Sequence, residues 1–474
     1  SYVYRNAQQD IILTSSLTLE QLAAIEAVEV PLAVVADPGN TNIGGATWTY
    51  RVADHALDFL AEGETLTLTY MARVDTNYSE YNTVVFKPFK ITITGTNDLP
   101  TAAATGSAII ELFGTGNPTI DHAEGVITFA DVDLTDRPTV TAPFANYVYT
   151  AANGSPLALT TAQQNALAAV LTLTPAASNT NNGSVAWSYD VADANFDFIA
   201  AGETLVLNYT AIVDDGHGGV VSVPLTLTVT VHGTNDIPTI TATSGGFVEL
   251  VGATGNTTPP DHAGGTITFT DVDLTDRPTV SSHFTSYTYQ NPAHTDVTSA
   301  LTALQLAAIA AVHPSLLLTP AGANANNGSV TWSYDLPDNS FDFLAADEIL
   351  TLLYTATVND AHGGVVSTPI TVTITGSNDA PDIVADTSGT SGTNVHDLTE
   401  SDSALTSSGS LAVSDADITN TVATSVVALS VGGSGNGSRP AGLTDAVLQA
   451  MLSVDLGNVI DNAHTDGTIH WSFD

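Results

Sequence analysis

The 474-residue chain has no cysteine and only eight Lys or Arg. Without thiols it can form no disulfide, no thiolate zinc site and no cysteine nucleophile. So few cations give no surface for neutralising phosphates, which excludes nucleic acid as a partner. Binding to anionic lipid is disfavoured for the same reason. No apolar run reaches the ~18 residues of a membrane span, so no membrane insertion by this segment is expected. No basic stretch followed by an apolar one opens the chain, so no signal peptide is read. What is present is acid: fifty Asp or Glu and a formal net charge of −42, although charged residues make up only 12 % of the chain. Apolar residues make up 43 %, too many for a disordered chain. At roughly 100–200 residues per domain the length predicts three or four domains.

A repeat organises the sequence. Trp187-Ser188-Tyr189-Asp190 recurs as Trp332-Ser333-Tyr334-Asp335 and as Trp471-Ser472-Phe473-Asp474, with Trp48-Thr49-Tyr50 as the earliest copy. A second marker is Gly95-Thr96-Asn97-Asp98, then Gly233-Thr234-Asn235-Asp236, then Gly376-Ser377-Asn378-Asp379; a proline follows each at 100, 238 and 381. The run from Asp131 to Pro138 is repeated letter for letter from Asp271 to Pro278, with a degraded copy at Asp415-Ala416-Asp417. The tryptophans lie 139, 145 and 139 residues apart, a domain-sized period rather than a solenoid coil. The expected division is 1–98 as a partial repeat, 99–236 and 237–379 as complete repeats, and 380–474 as a second partial repeat. Both ends fall mid-repeat: Ser1-Tyr2-Val3-Tyr4 matches Asn146-Tyr147-Val148-Tyr149. A window cut from a longer chain explains this. Completion of each half by a neighbouring molecule, as in strand donation, is the alternative.

Within each repeat the hydrophobic period is two. Leu205, Leu207, Tyr209, Ala211 and Val213 alternate with polar positions, the pattern of a half-buried antiparallel strand. Asp215-Gly216-His217 and Asp360-Ala361-His362 read as hairpin turns. One short helix per repeat is predicted by Thr-x-x-Gln capping boxes beginning at Thr18, Thr161 and Thr302; a run from Thr444 lacks the glutamine. The expected fold is all-β: a tandem array of β-sandwich domains, each with one short helix inserted.

The acids are patterned. Alternate Asp residues on extended chain put both carboxylates on one side, so Asp131 with Asp133, Asp271 with Asp273, and Asp415 with Asp417 are candidate pairs for one ion. The border residues Asn97, Asp98, Asn235, Asp236, Asn378 and Asp379 add amide and acid oxygens. Calcium takes such oxygens in number. Glu111 and Glu249 each lie thirteen residues after the border Asp, and Glu400 lies 21 after Asp379. A lone acid at an apolar strand is costly unless paired or metal-bound. The hairpin acids Asp214, Asp215 and Asp360 are expected to reach a border from the domain preceding it.

From Trp187 to Pro238 the motifs Trp-x-Tyr, Asp-Phe-Ile-Ala-Ala-Gly-Glu-Thr-Leu, Asp-Asp-Gly-His-Gly-Gly and Gly-Thr-Asn-Asp-x-Pro run in order. Together they resemble the VCBS repeat of very large bacterial surface and biofilm adhesins, and the resemblance covers essentially the whole chain. It implies a cadherin-like sandwich, type I secretion and calcium at the domain borders. The first repeat departs from it with Asp75-Thr76-Asn77-Tyr78 at the hairpin, and the last lacks the Asp-Arg-Pro tail.

Plainer readings compete. Acidic loops are often solvated faces. His217 and His362 read as surface turn residues rather than ligands, and each Trp-x-Tyr as core. Asp190, Asp193 and Asp197 have the look of paired glycosidase carboxylates, but they recur in each repeat while an active site is needed once, so no enzyme is expected. The basic residues carry a further signal. Arg137, Arg277, Arg439 and Lys87 each precede proline, which leaves Arg5, Arg51, Arg73 and Lys90 as ordinary tryptic sites. That suits a protein exposed to proteases outside the cell. The sequence therefore predicts a calcium-stiffened extender of an extracellular adhesin or matrix fibre, partnered by further repeats of the same chain. The alternative is a self-assembling filament subunit partnered by other copies of itself.

Overall fold

The computed structural model describes residues 1–76, 83–168, 170–217, 225–252, 254–384, 395–399, 401–427, 442 and 444–474. Glu400, Asn77, Tyr78 and Arg439 lie outside the described residues. The chain is an all-β array of tandem sandwiches with a few short helices, and its contacts divide it into two units, Ser1–Asp236 and Ile237–Asp474.

In the first unit, residues 99–236 build two facing sheets. One orders Pro156–Leu157, Phe144–Thr150, Thr204–Asp214, Leu225–His232 and Ser107–Ile110, with Thr139–Thr141 also pairing to Thr204–Asp214. The other orders Thr172–Pro175, Gly183–Ala192, Ile120–Ala130 and Thr101–Ala104. The alternation in Thr204–Asp214 does what its period dictates: Leu205, Leu207, Tyr209, Ala211 and Val213 are all buried. They pack against Trp187 and Tyr189 of the opposite sheet, so this Trp-x-Tyr is core. Residues 1–98 supply a sheet of Ile11–Ile12, Tyr2–Arg5, Thr65–Asp75 and Val84–Thr94, and a separate pair, Ala33–Ala36 with Ala46–Thr49. Here Trp48 is 45 % exposed, whereas Trp187 is 1 % exposed.

The second unit repeats the plan. Residues 237–379 form one sheet of Thr239–Ala242, Pro260–Thr270, Gly328–Pro337 and Leu317–Pro320. The other sheet is Gly245–Val248, Val365–Thr375, Ile349–Asn359 and Thr279–Gln290. Residues 380–474 give a sheet of Asp382–Val384, Ser407–Ser414, Asp466–Phe473 and Leu452–Val454.

Two features of the sandwich position the borders. Ser107–Ile110 pairs in parallel with Leu225–His232, and Gly245–Val248 does so with Val365–Thr375. Parallel pairing carries the glutamate after each short strand, Glu111 or Glu249, to the end of the sandwich where the last strand exits. The inserted helices begin at capping boxes whose threonine Oγ1 accepts from the glutamine N–H: Thr18 with Gln21 and Thr302 with Gln305. In the middle repeat the box is Thr160 with Gln163, one residue earlier than the spacing from Thr161 suggests. Tandem Thr and tandem Gln satisfy the spacing in either register. The register adopted places Leu167, the last helical residue, in the core.

Candidate metal centre

Carboxylates gather at both ends of each whole sandwich. At the exit end of 99–236, Glu111, Asp197 and Asp236 each bring an oxygen within 4.8 Å of the other two. Backbone amides fix them: Thr234 N–H donates to Glu111 Oε2 at 2.8 Å, Gly116 N–H to Asp197 Oδ2 at 2.7 Å, and Gly114 N–H to Asp236 Oδ1 at 2.9 Å. Asp193 joins them, held by Leu112 N–H at 2.7 Å. Beside it, burial and the neighbouring Asp193 push the Asp121 carboxyl up to about 7. The exit end of 237–379 repeats the arrangement with Glu249, Asp342 and Asp379, plus Asp338. Burial, with like charge from Asp379, Asp342 and Asp338, pushes the Glu249 carboxyl up to about 9.

The entry end is built by the Asp-x-Asp loop. Asp133 N–H donates to Asp131 Oδ1 at 3.0 Å, which curls the loop so that Asp131, Asp133 and Asp136 converge within 4.8 Å. Asn181 Nδ2 clamps the Asp131 carbonyl, and Asn182 Oδ1 accepts from the Asp131 amide at 3.1 Å. The preceding border docks here: Asp98 N–H donates to Asp133 Oδ2 at 2.8 Å, and Asn97 Nδ2 donates to Asp215 Oδ2 at 3.1 Å. Burial pushes the Asp133 carboxyl up to about 7. Asp98 is raised by burial and by the charges of Asp58 and Asp54. In the second unit Asp271, Asp273 and Asp276 form the same triad, tied by Asn326 and Asn327.

The border at Asp379 brings both halves together. Asp379 N–H donates to Asp417 Oδ2 at 3.1 Å, and Asp417 N–H to Asp415 Oδ1 at 3.1 Å. Asn420 Nδ2 bridges Asp417 Oδ2 at 2.7 Å and Asn378 Oδ1 at 3.4 Å. Asp379 is therefore shared between the Glu249–Asp342 cluster behind it and the Asp415–Asp417 loop ahead. Burial pushes the Asp417 carboxyl up to about 7. Buried oxygens of Glu249, Asp338, Asp342, Asp379 and Asp417 have no hydrogen-bond partner among the described residues. The same is true of oxygens of Asp131, Asp133 and Asp136 at the Asp98 border. Such oxygens are costly without a cation or a proton. The donors are carboxylate and amide oxygens with no sulfur, a set that fits a hard divalent cation such as calcium.

Several expectations change place. Glu111 does not face the border at Asp98. The parallel strand takes it to the exit end of its own sandwich, beside Asp236. Of the hairpin acids, Asp215 serves the opposite border. Asp215 meets Asn97 at the entry to its own repeat rather than the next, because the eleven-residue strand Thr204–Asp214 runs the length of the sandwich. Asp214 is exposed and holds Gly216 N–H in the turn, apart from the cluster. Asp360 is buried and holds His362 and Gly364 amides. His217 and His362 are tied to buried carboxylates, Asp136 at 3.2 Å and Asp276 at 3.1 Å, rather than standing as plain surface residues.

Of Asp190, Asp193 and Asp197, which have the look of paired catalytic carboxylates in the sequence, Asp190 stays on the surface beside His122 Nδ1 at 2.7 Å, whereas Asp193 and Asp197, like their counterparts Asp338 and Asp342, lie apart from it. The structure brings them into the exit cluster, as it does Asp121 and, at the entry, Asp136. The signal for them was present in the sequence. Asp54 and Asp58, Asp193 and Asp197, and Asp338 and Asp342 recur at one spacing just before each Glu-bearing turn.

No known family pattern matches the chain, and no curated protein is similar enough to count as a relative. Among solved structures it resembles PcdhgB3 EC1-4 at 10 % identity and TM-score 0.31, covering 73 % of this chain but only 64 % of that one. It resembles the protocadherin gammaB7 EC3-6 cis-dimer at 10 % identity and TM-score 0.33, covering 82 % of this chain and 88 % of that one. With human CDH23 EC21-23 the identity is 15 % and the TM-score 0.23, over 58 % and 72 %. At such identities the neighbours' properties remain their own.

Proposed function

We propose that this chain is a calcium-stiffened extender segment of an extracellular bacterial adhesin or matrix fibre, serving cell-surface and biofilm adhesion. The observation that carries the reading is the Asp379 border, where buried carboxylates of two successive repeats converge on one shared residue. A cation there neutralises the mutual repulsion and ties two repeats to one linker. Two or three calcium ions at each of three borders supply roughly 12–18 positive charges against −42. The remaining charge keeps neighbouring fibres soluble and apart. The four divisions 1–98, 99–236, 237–379 and 380–474 are the mechanical elements of this reading. Type I export fits a cysteine-free chain that folds on meeting calcium outside the cell.

A second reading draws on the terminal segments. Leu411, Val413, Ile469 and Trp471 line an apolar cavity of about 830 Å³ in 380–474, and Trp48, Tyr70 and Phe89 line another of about 400 Å³ in the first segment. Other copies of the chain, or further repeats, would cover them, and a filament subunit would use the first option. Small-angle scattering and heat unfolding of the full chain, in calcium and in chelator, test both readings. The extender requires calcium to stiffen the particle and to raise its melting temperature while it stays monomeric. Polymers in calcium favour the filament. No calcium effect on shape or stability overturns the cation assignment.

A further inference from the structure

The borders at Asp98 and Asp379 each carry a second contact that uses none of the clustered carboxylates. In the first unit, Glu64 is 2 % exposed and lies in the turn before strand Thr65–Asp75. Its Oε2 accepts from Tyr4 OH at 2.5 Å and from Ala61 N–H at 3.1 Å, both within residues 1–98. Its Oε1 accepts from Thr135 Oγ1 at 2.9 Å, across the border. Next to Thr135, Leu134 packs on the core of residues 1–98, and its N–H points to the Phe59 carbonyl at 3.4 Å.

The second unit reproduces every part. Glu348 Oε2 accepts from Tyr289 OH at 2.5 Å and Ala345 N–H at 3.1 Å, and Glu348 Oε1 accepts from Thr419 Oγ1 at 2.9 Å. Ile418 is 4 % exposed inside the core of 237–379, with its N–H 3.4 Å from the Phe343 carbonyl. The middle repeat builds the same receptor from Tyr149 and Ala200 around Glu203, and the third carries the same tip sequence, Leu274-Thr275.

We infer that Glu64 and Glu348, each a buried glutamate held by a tyrosine, are sockets that capture the Leu/Ile-Thr tip of the following repeat without any cation. The chemistry selects the tip. The socket uses one carboxylate oxygen internally and presents the other to the following repeat. A partner must bring one uncharged hydrogen-bond donor beside one aliphatic side chain, and Leu134-Thr135 and Ile418-Thr419 bring that pair. Seating the tip exchanges water at the free glutamate oxygen for a threonine hydroxyl and buries Leu134 or Ile418 in the preceding core, so the apolar contact drives capture and the hydroxyl keeps the oxygen satisfied. Beyond the cation reading, part of the border's stiffness belongs to this apolar latch.

The test uses the absence of cysteine. Glu20→Cys and Asn153→Cys, both at exposed positions of the full chain, accept a fluorophore pair that reports the spread of distances across the Asp98 border. In chelator the otherwise unaltered chain is expected to keep a narrow distribution. Thr135→Val should broaden it, and Leu134→Ala should broaden it further, with unchanged far-ultraviolet circular dichroism showing that the sandwiches still fold. If the chelated parent is already as broad as the Leu134→Ala/Thr135→Val double variant, or if neither variant broadens it, the latch is refuted. Calcium should narrow all the distributions. If calcium has no effect, the cation reading fails, and the comparison within chelator still decides the latch.

Discussion

At the scale of single residues, the border chemistry rests on how few partners the buried carboxylates have. Asp379 is the sharpest case, since it touches the clusters on both sides of its border. Asp379→Asn removes a charged ligand whose contact is worth about 1.5–3 kcal/mol, so calcium affinity at that border is expected to fall roughly 10- to 100-fold. Asp214→Asn, an exposed change outside the cluster, should leave calcium titrations unaltered. Protons act on the same groups. Burial pushes Glu249 up to about 9 and Asp133 and Asp417 up to about 7. Folded pKa values above the unfolded carboxylate range mean that the metal-free native state prefers these groups protonated. That contribution is fully present below about pH 4 and is lost as pH rises through about 7 and then about 9. In chelator the melting temperature should therefore fall between about pH 5 and pH 9, and calcium should flatten the slope. A metal-free melting temperature that climbs over this range would falsify the assignment.

At the scale of elements, the strands were readable because side-chain period fixes the face. Five alternating apolar residues in Thr204–Asp214 could only point inward together. The helices were readable from their caps, with a one-residue ambiguity where Thr160 and Thr161 stand side by side. Strand pairing was not readable. Nothing local in Ser107–Ile110 says that it lies parallel to Leu225–His232, some 120 residues away, yet that pairing decides which border Glu111 serves. The hairpins offer a test of element-level strain. Ala361 has φ +72° where the matching Gly216 has φ +85°. Left-handed backbone costs an L-residue about 1–2 kcal/mol, and glycine's greater unfolded freedom returns about 0.5–1 of that. Ala361→Gly should therefore stabilise the hairpin by about 0.5–1 kcal/mol. Hydrogen exchange in Ile349–Asn359 and Val365–Thr375 should slow by about two- to fivefold, and unchanged or faster exchange would count against the strain.

At the scale of the whole molecule, charge follows from composition and protease sites from the order of residues. Trypsin acting on the unfolded chain should cut after Arg5, Arg51, Arg73 and Lys90 and leave residues 91–474 as one piece, because every later Arg precedes proline. Mass spectrometry of the digest checks this directly, and fragments beginning inside 91–474 would contradict it. The long uncut stretch suits an extracellular spacer made of repeats. In the proposed reading the latch and the carboxylate clusters share the work of stiffening a border: one would act through apolar packing, the other through a cation whose supply can vary.

The order of the repeats, the alternation of the strands, the helix caps and the inventory of acids all came from the sequence, because each depends on near neighbours in the chain. Which acids share a site was decided by the tertiary structure. An eleven-residue strand spans about 35 Å, so Glu203 and Asp215, at the two ends of Thr204–Asp214, serve opposite ends of one sandwich. Asp193 and Glu111, far apart in the chain, meet at one end through strand pairing. Glu64 and Thr135 meet only because two folded surfaces dock. Spacing along the chain cannot reveal such meetings, because both turns and strand register intervene.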